Sequence, residues 1–102
     1  MIIREGYMAD IASKIPIILF KEGDKTIAYS PALDLSTCGD TERQAHQRFS
    51  EAAVIYLNEL RAMGTLDEIL EENGWQKDVR KQIWIAPVYI SASEEVKIPT
   101  GV

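Results

Sequence analysis

The chain has 102 residues, of which 46% are hydrophobic, and this length and composition are typical of one small globular domain. Sixteen acidic residues against eleven Lys and Arg give a formal net charge of -5, which disfavours nonspecific binding to nucleic acid or to an anionic membrane. The single cysteine, Cys38, cannot form an intrachain disulfide, and no apolar run approaches the roughly 20 residues that span a bilayer. We therefore expect a cytoplasmic protein with no membrane segment.

The first predicted element is a three-stranded antiparallel meander. In residues 14–20 both sets of alternating positions carry apolar side chains, which favours a strand covered on both faces. Pro16 marks the start of this strand or places it at an edge of the sheet. A polar turn at Gly23 precedes a second β-prone run at 26–30, which predicts a hairpin. A third strand is predicted at 33–38, before Gly39.

A long amphipathic helix is predicted for residues 42–63. Thr41 and Gln44 have the spacing of a capping box, and Gly64 ends the helix. Apolar residues recur every three or four positions and define one face that packs on the sheet. This stripe comprises Ala45, Phe49, Ala52, Ala53, Tyr56, Leu57, Leu60 and Met63.

A second, short helix follows, because Thr65 and Glu68 repeat the capping-box spacing and Gly74 closes the segment. Further strands are predicted at 82–86, 88–92 and 96–98. The predicted fold is α+β with the order β-β-β-α-α-β: a three-stranded antiparallel meander, a long helix, a short second helix and a returning strand. We interpret residues 1–102 as one domain with a core at about 14–63 and a C-terminal extension at 75–102.

Residue types that carry catalysis have simpler structural interpretations in this chain. His46 lies on the polar side of the long helix without a serine or carboxylate at triad spacing, and Cys38 is typical of a small packing residue at a strand end. Asp34, Asp40 and Glu42 could together bind a divalent cation, but a turn and a helix start explain each of them. We predict no cofactor, no metal and no enzymatic activity.

Two clusters of charge lie close to Trp75. The acidic cluster before it is typical of a solvated helix face, and it would also complement a basic, RNA-binding partner. Lys77, Arg80 and Lys81, between the two tryptophans, are interpreted as a solvated loop. The residues predicted to contact a partner are Asp67, Glu68, Glu71, Glu72 and Trp75.

A motif in the first half of the chain resembles the HicB-like antitoxin family of type II toxin–antitoxin systems. The motif reads Ala28-Tyr29-Ser30-Pro31-Ala32-Leu33-Asp34-Leu35, followed by Cys38-Gly39-Asp40-Thr41, and the resemblance extends over residues 15–60. It implies a partial ribonuclease H-like core without catalytic activity. It also implies that the protein binds a small HicA-type toxin, which cleaves RNA, and masks the RNA-binding surface of that toxin.

Many HicB-like antitoxins also carry a module that binds their own promoter. Only residues 75–102 follow Gly74 here, with two prolines and little helical periodicity, so direct DNA binding is not predicted. A homodimer or higher homo-oligomer is expected. Two alternatives remain: an orphan self-associating interaction module that uses exposed strand edges, and a small Mg²⁺-dependent nuclease-like enzyme that uses Asp34 and Asp40.

Overall fold

A three-stranded antiparallel sheet forms the first layer of the protein in the computed structural model, which describes residues 13–101. Strands β1 (Ile18–Glu22), β2 (Lys25–Ser30) and β3 (Leu35–Gly39) lie side by side in chain order. The turn between β1 and β2 contains Gly23, whose φ of 64° is in the left-handed region that favours glycine. The predicted meander is confirmed.

The long helix α1 (Glu42–Met63) covers one face of this sheet. The hydroxyl of its N-cap residue, Thr41, accepts a hydrogen bond from the Gln44 N–H at 3.1 Å, and Gly64 ends the helix with a φ of 78°. The Gln44 side chain accepts from the Asp40 N–H instead of the Thr41 N–H, so the capping box reaches one residue further back than predicted. The predicted stripe is buried at Ala45, Phe49, Ala53 and Leu60, half-buried at Ala52, Tyr56 and Leu57, and exposed at Met63.

Strand β1 differs from its prediction in both length and burial. It begins at Ile18, two residues after Pro16, and lies at an edge of the sheet. Leu19 packs against the core, whereas Ile18 and Phe20 are 53% and 45% exposed. The prediction of a strand covered on both faces is wrong, because α1 packs on one face of the sheet only and side chains alternate between the two faces.

The second helix, α2 (Leu66–Glu72), confirms the predicted short helix but not its predicted cap. The Thr65 hydroxyl donates to the Leu60 carbonyl at 3.4 Å, and the helix begins without a side-chain cap. Gly74 follows with a φ of 92° and turns the chain out of the helix.

The predicted returning strand is β5 (Ile83–Ile85), but it does not join the meander. It pairs antiparallel with β4 (Gln76–Asp78), a strand that the sequence pattern does not predict, in a separate two-stranded sheet. The strands predicted at 88–92 and 96–98 are wrong, because residues 86–101 have no regular secondary structure. The element order is otherwise as predicted, with one strand added.

The core lies between the sheet and α1 and continues to α2 and the residue that follows Gly74. Its buried hydrophobic residues are Ala28, Ala32, Leu33, Ala45, Phe49, Ala53, Leu70 and Trp75. The core therefore extends beyond the predicted residues 14–63. None of the helices described here has the length and apolar character needed to cross a membrane.

Candidate protein-binding surface

The residues of the family-like motif after β2 form a buried turn. Ala32 and Leu33 are fully buried, and the Ala32 N–H donates to the Ser30 hydroxyl at 3.2 Å. The Tyr29 hydroxyl donates to Asp34 Oδ1 at 3.0 Å, and this hydrogen bond raises the pKa of Tyr29. This part of the motif thus specifies the fold, and most of its side chains are not available to a partner.

The second part of the motif forms the junction between β3 and α1. A Cβ atom at Gly39 would lie 2.6 Å from the Ala45 backbone nitrogen, so only glycine lets the strand and the helix start approach this closely. Lys25 donates a hydrogen bond to Asp40 across the junction. This hydrogen bond, and then the charge of the partner, lowers the pKa of Asp40 and raises that of Lys25.

The candidate metal ligands of the sequence have separate structural roles. Asp34 accepts the Tyr29 hydroxyl, Asp40 pairs with Lys25, and Glu42 lies in the first turn of α1. Within residues 13–101 no three His, Cys, Asp or Glu side chains are grouped so that they could hold a metal ion.

The acidic cluster predicted to contact a partner lies on the outward side of α2. All four carboxylates, Asp67, Glu68, Glu71 and Glu72, are exposed. Asp67 Oδ2 lies 3.6 Å from Lys77 Nζ, and that ammonium group also lies 5.6 Å from the centre of the Trp84 ring. The other three carboxylates form no salt bridge in the described part of the chain.

Trp75, the fifth predicted contact residue, is buried apart from the exposed carboxylates and lines the apolar groove described below. It is 6% exposed, and its indole Nε1–H donates to the Ala32 carbonyl at 2.7 Å. The side chain therefore anchors the end of α2 to the buried turn of the motif.

The basic residues between the two tryptophans belong to the β4–β5 hairpin, not to a loop alone. Lys77 is in β4 and pairs with Trp84 of β5. Arg80 and Lys81 lie in the exposed turn, where both backbone N–H groups donate to the Asp78 carboxylate at 3.0 and 3.1 Å.

Sequence reasoning missed an open apolar groove of about 980 Å³ next to α2. It is formed by elements far apart in the chain, and no local pattern could have indicated it. Its apolar lining comprises Ile15 and Ile17 before β1, Phe49, Ala53, Val54 and Leu57 of α1, Leu66 and Leu70 of α2, Trp75, and Ile83 and Trp84 of β5. His46, Asn58 and Arg61 add polar groups, and Arg61 donates to Asn58 Oδ1 at 2.9 Å.

The groove and the acidic cluster share one helix. Leu66 and Leu70, one turn apart, line the groove, while the carboxylates of the same helix point to solvent. An apolar groove beside exposed negative charge is a surface that suits a basic protein with an apolar side chain to bury.

Comparison with protein-family models, with curated proteins and with solved structures found no match to this chain.

Proposed function

We propose that the protein is a HicB-like antitoxin, which binds a small RNA-cleaving toxin of the HicA type and masks its RNA-binding surface. The observation that carries the proposal is the pairing of the apolar groove with the acidic outward side of α2. The resemblance of residues 28–41 to the HicB-like family supports the same function.

In this proposal the acidic side of α2 attracts the positively charged RNA-binding surface of the toxin. A protein that binds RNA presents Lys and Arg to the phosphates, so its RNA-binding surface is positively charged. Glu68, Glu71 and Glu72 are exposed and form no salt bridge within residues 13–101, so their charge is available to such a surface. The carboxylates would steer the toxin to the groove and occupy the positions that phosphates otherwise take.

In this proposal the apolar groove slows dissociation of the complex. Charge at the edge of an interface mainly accelerates association, whereas a buried apolar centre slows dissociation. The side chains of Leu57, Leu66 and Trp84 line the groove, and an apolar side chain of the toxin would be buried against them. Inhibition is then stoichiometric, because RNA cannot reach a surface that the antitoxin covers.

The test co-expresses the full chain with the product of an adjacent short reading frame, which the proposal expects to be a basic protein. We expect the two proteins to co-purify, and one equivalent of the chain to stop RNA cleavage by the partner. Glu68→Lys with Glu71→Lys should slow association and weaken its dependence on salt, while circular dichroism shows an unchanged fold.

The matched control is Glu51→Lys with Glu59→Lys, because these are exposed glutamates of α1 that do not line the groove. Both double variants change the net charge equally, so a difference between them reports position. Equal association rates for the two variants would reject the role of α2. A partner that neither co-purifies nor loses its activity would reject the antitoxin function.

A further inference from the structure

The free edge of β1 is open to another strand. β1 pairs with β2 along one edge, and no strand of residues 13–101 pairs with the other. Ile18 and Phe20 project from the sheet face opposite to α1 and are largely exposed. Unpaired backbone groups beside exposed apolar side chains are the usual receiving site for an added β-strand.

The C-terminal arm, residues 88–101, is the segment that we consider as the strand added to this edge. It extends from the β4–β5 hairpin without regular secondary structure, and all of its residues are exposed. Val96 and Ile98 are 68% and 74% exposed, and Lys97 between them gives the alternation of a half-buried strand. Val88 and Ile90 repeat this spacing and are more exposed still. The arm thus has the pattern of a strand but pairs with no strand among residues 13–101.

The two surfaces match in spacing. Val96 and Ile98 are two residues apart, as are Ile18 and Phe20. A strand added to the free edge of β1 would place the two apolar pairs side by side on the same face of the sheet, where cross-strand apolar pairs stabilise the ladder. Lys97 would then point to the other face.

Charge is consistent with the same pairing. Glu94 and Glu95 precede Val96 in the arm, whereas Lys21 lies in β1 and is exposed. An acidic arm segment next to a basic strand residue is favourable, although exposed charges of this kind affect the choice of partner more than the stability.

We propose that the protein forms a two-fold symmetric dimer in which the arm of each copy adds a strand to β1 of the other copy. Two-fold symmetry fills both free edges at once and leaves neither arm exposed. The exchange doubles the area that a single added strand would bury, and a stable, specific interface buries about 1,200–2,000 Å² in total. This inference concerns the chain alone and does not depend on the proposed toxin.

Sedimentation of the full chain over a micromolar to submillimolar range tests the proposal. We expect a dimer for the natural chain and a folded monomer for Val96→Asp with Ile98→Asp, since both side chains are too exposed to hold the monomer together. Ile55→Asp with Val79→Asp is the control, because it adds the same charge at exposed apolar positions outside the arm and β1. A monomeric natural chain would overturn the proposal, and so would a dimer that survives the arm variant or is lost in both variants.

Cross-linking identifies which edge receives the arm. In a Cys38→Ser background, one copy carries Ile98→Cys and a second copy of different size carries Ile18→Cys. A short bis-maleimide should link the two copies to each other. No linkage between copies that form a dimer would show that the arm does not reach β1 of a second copy.

Discussion

Replacing Trp75 by phenylalanine should lower the free energy of unfolding by about 2–4 kcal/mol. The change removes the 2.7 Å hydrogen bond from the indole to the Ala32 carbonyl, and it leaves that oxygen unpaired beside a fully buried residue. An unsatisfied buried acceptor costs about 1–3 kcal/mol. The smaller ring also leaves a cavity of roughly 40 Å³, which adds about 1 kcal/mol.

The assay is urea denaturation of the full chain followed by circular dichroism, with the midpoint falling at an unchanged slope. Trp84→Phe is the control, because that side chain is only half-buried and lies in the groove. It should cost less than about 1 kcal/mol. A Trp75→Phe loss below about 0.5 kcal/mol, or one equal to that of the control, would refute the role of this hydrogen bond.

The same variant tests whether Trp75 touches a partner. Trp75 lines the groove but is only 6% exposed, so Trp75→Phe should change the partner's dissociation constant less than Trp84→Phe, at a temperature where the variant is fully folded. Trp84→Phe, which changes the groove itself, should weaken binding. A weaker complex for Trp75→Phe than for Trp84→Phe would identify Trp75 as the more important contact residue.

Three further predictions concern the junction between β3 and α1. Gly39→Ala should destabilise the protein by about 1–3 kcal/mol in urea denaturation, because the new methyl group meets the Ala45 backbone nitrogen, and an unchanged midpoint would contradict this close approach. Thr41→Ala should cost about 1 kcal/mol through loss of the N-cap, whereas Thr41→Ser should retain most of it. Asp40→Asn should remove a pH-dependent stabilisation. The pKa of Asp40 is lowered from 3.8 and that of Lys25 is raised from 10.5, so the pair stabilises the fold between these values. The difference in stability between the natural chain and Asp40→Asn should therefore shrink as the pH falls below 3.8 or rises above 10.5, and a difference that stays constant into acid would be evidence against the pair.

The elements that the sequence predicts well are those specified by neighbouring residues. Helix α1 is predicted at its observed bounds because its cap, its apolar stripe and its terminal glycine all lie within the segment itself. The β1–β2 hairpin follows in the same way from a polar turn at Gly23 between two β-prone runs. Local signals of this kind do not depend on the rest of the fold.

Strand β4 is not predicted because its own sequence carries no local indication of a strand. Gln76–Asp78 contains three polar residues and has no apolar alternation, so its composition does not indicate a strand. It forms because the Asp78 carboxylate accepts hydrogen bonds from the backbone of the turn, and Gln82 adopts a φ of 57° that reverses the chain. Such turns favour glycine or asparagine, and glutamine at this position gives no comparable signal.

The candidate site likewise contains some features that follow from a short segment of sequence and others that depend on contacts between distant segments. The exposed carboxylates of α2 are predicted from one short segment, as is their position on its outward side. The burial of Trp75 and the groove beside Leu66 depend on contacts between segments that are distant in the chain. The covered or uncovered state of β1 is of the second kind, because an apolar run looks the same whether its own chain or another molecule buries it.

The hydrogen bond between Trp75 and Ala32 also has a consequence for the order in which the chain folds. It joins residues 43 positions apart, whereas the meander and the start of α1 are built from contacts between near neighbours in sequence. Closing a long loop costs entropy that later contacts must offset, so short-range structure forms first. We expect Trp75→Phe to accelerate unfolding with little change in the refolding rate, while Ala53→Gly in α1 slows refolding. In this order of folding, Trp75 docks on the sheet and α1 after both have formed.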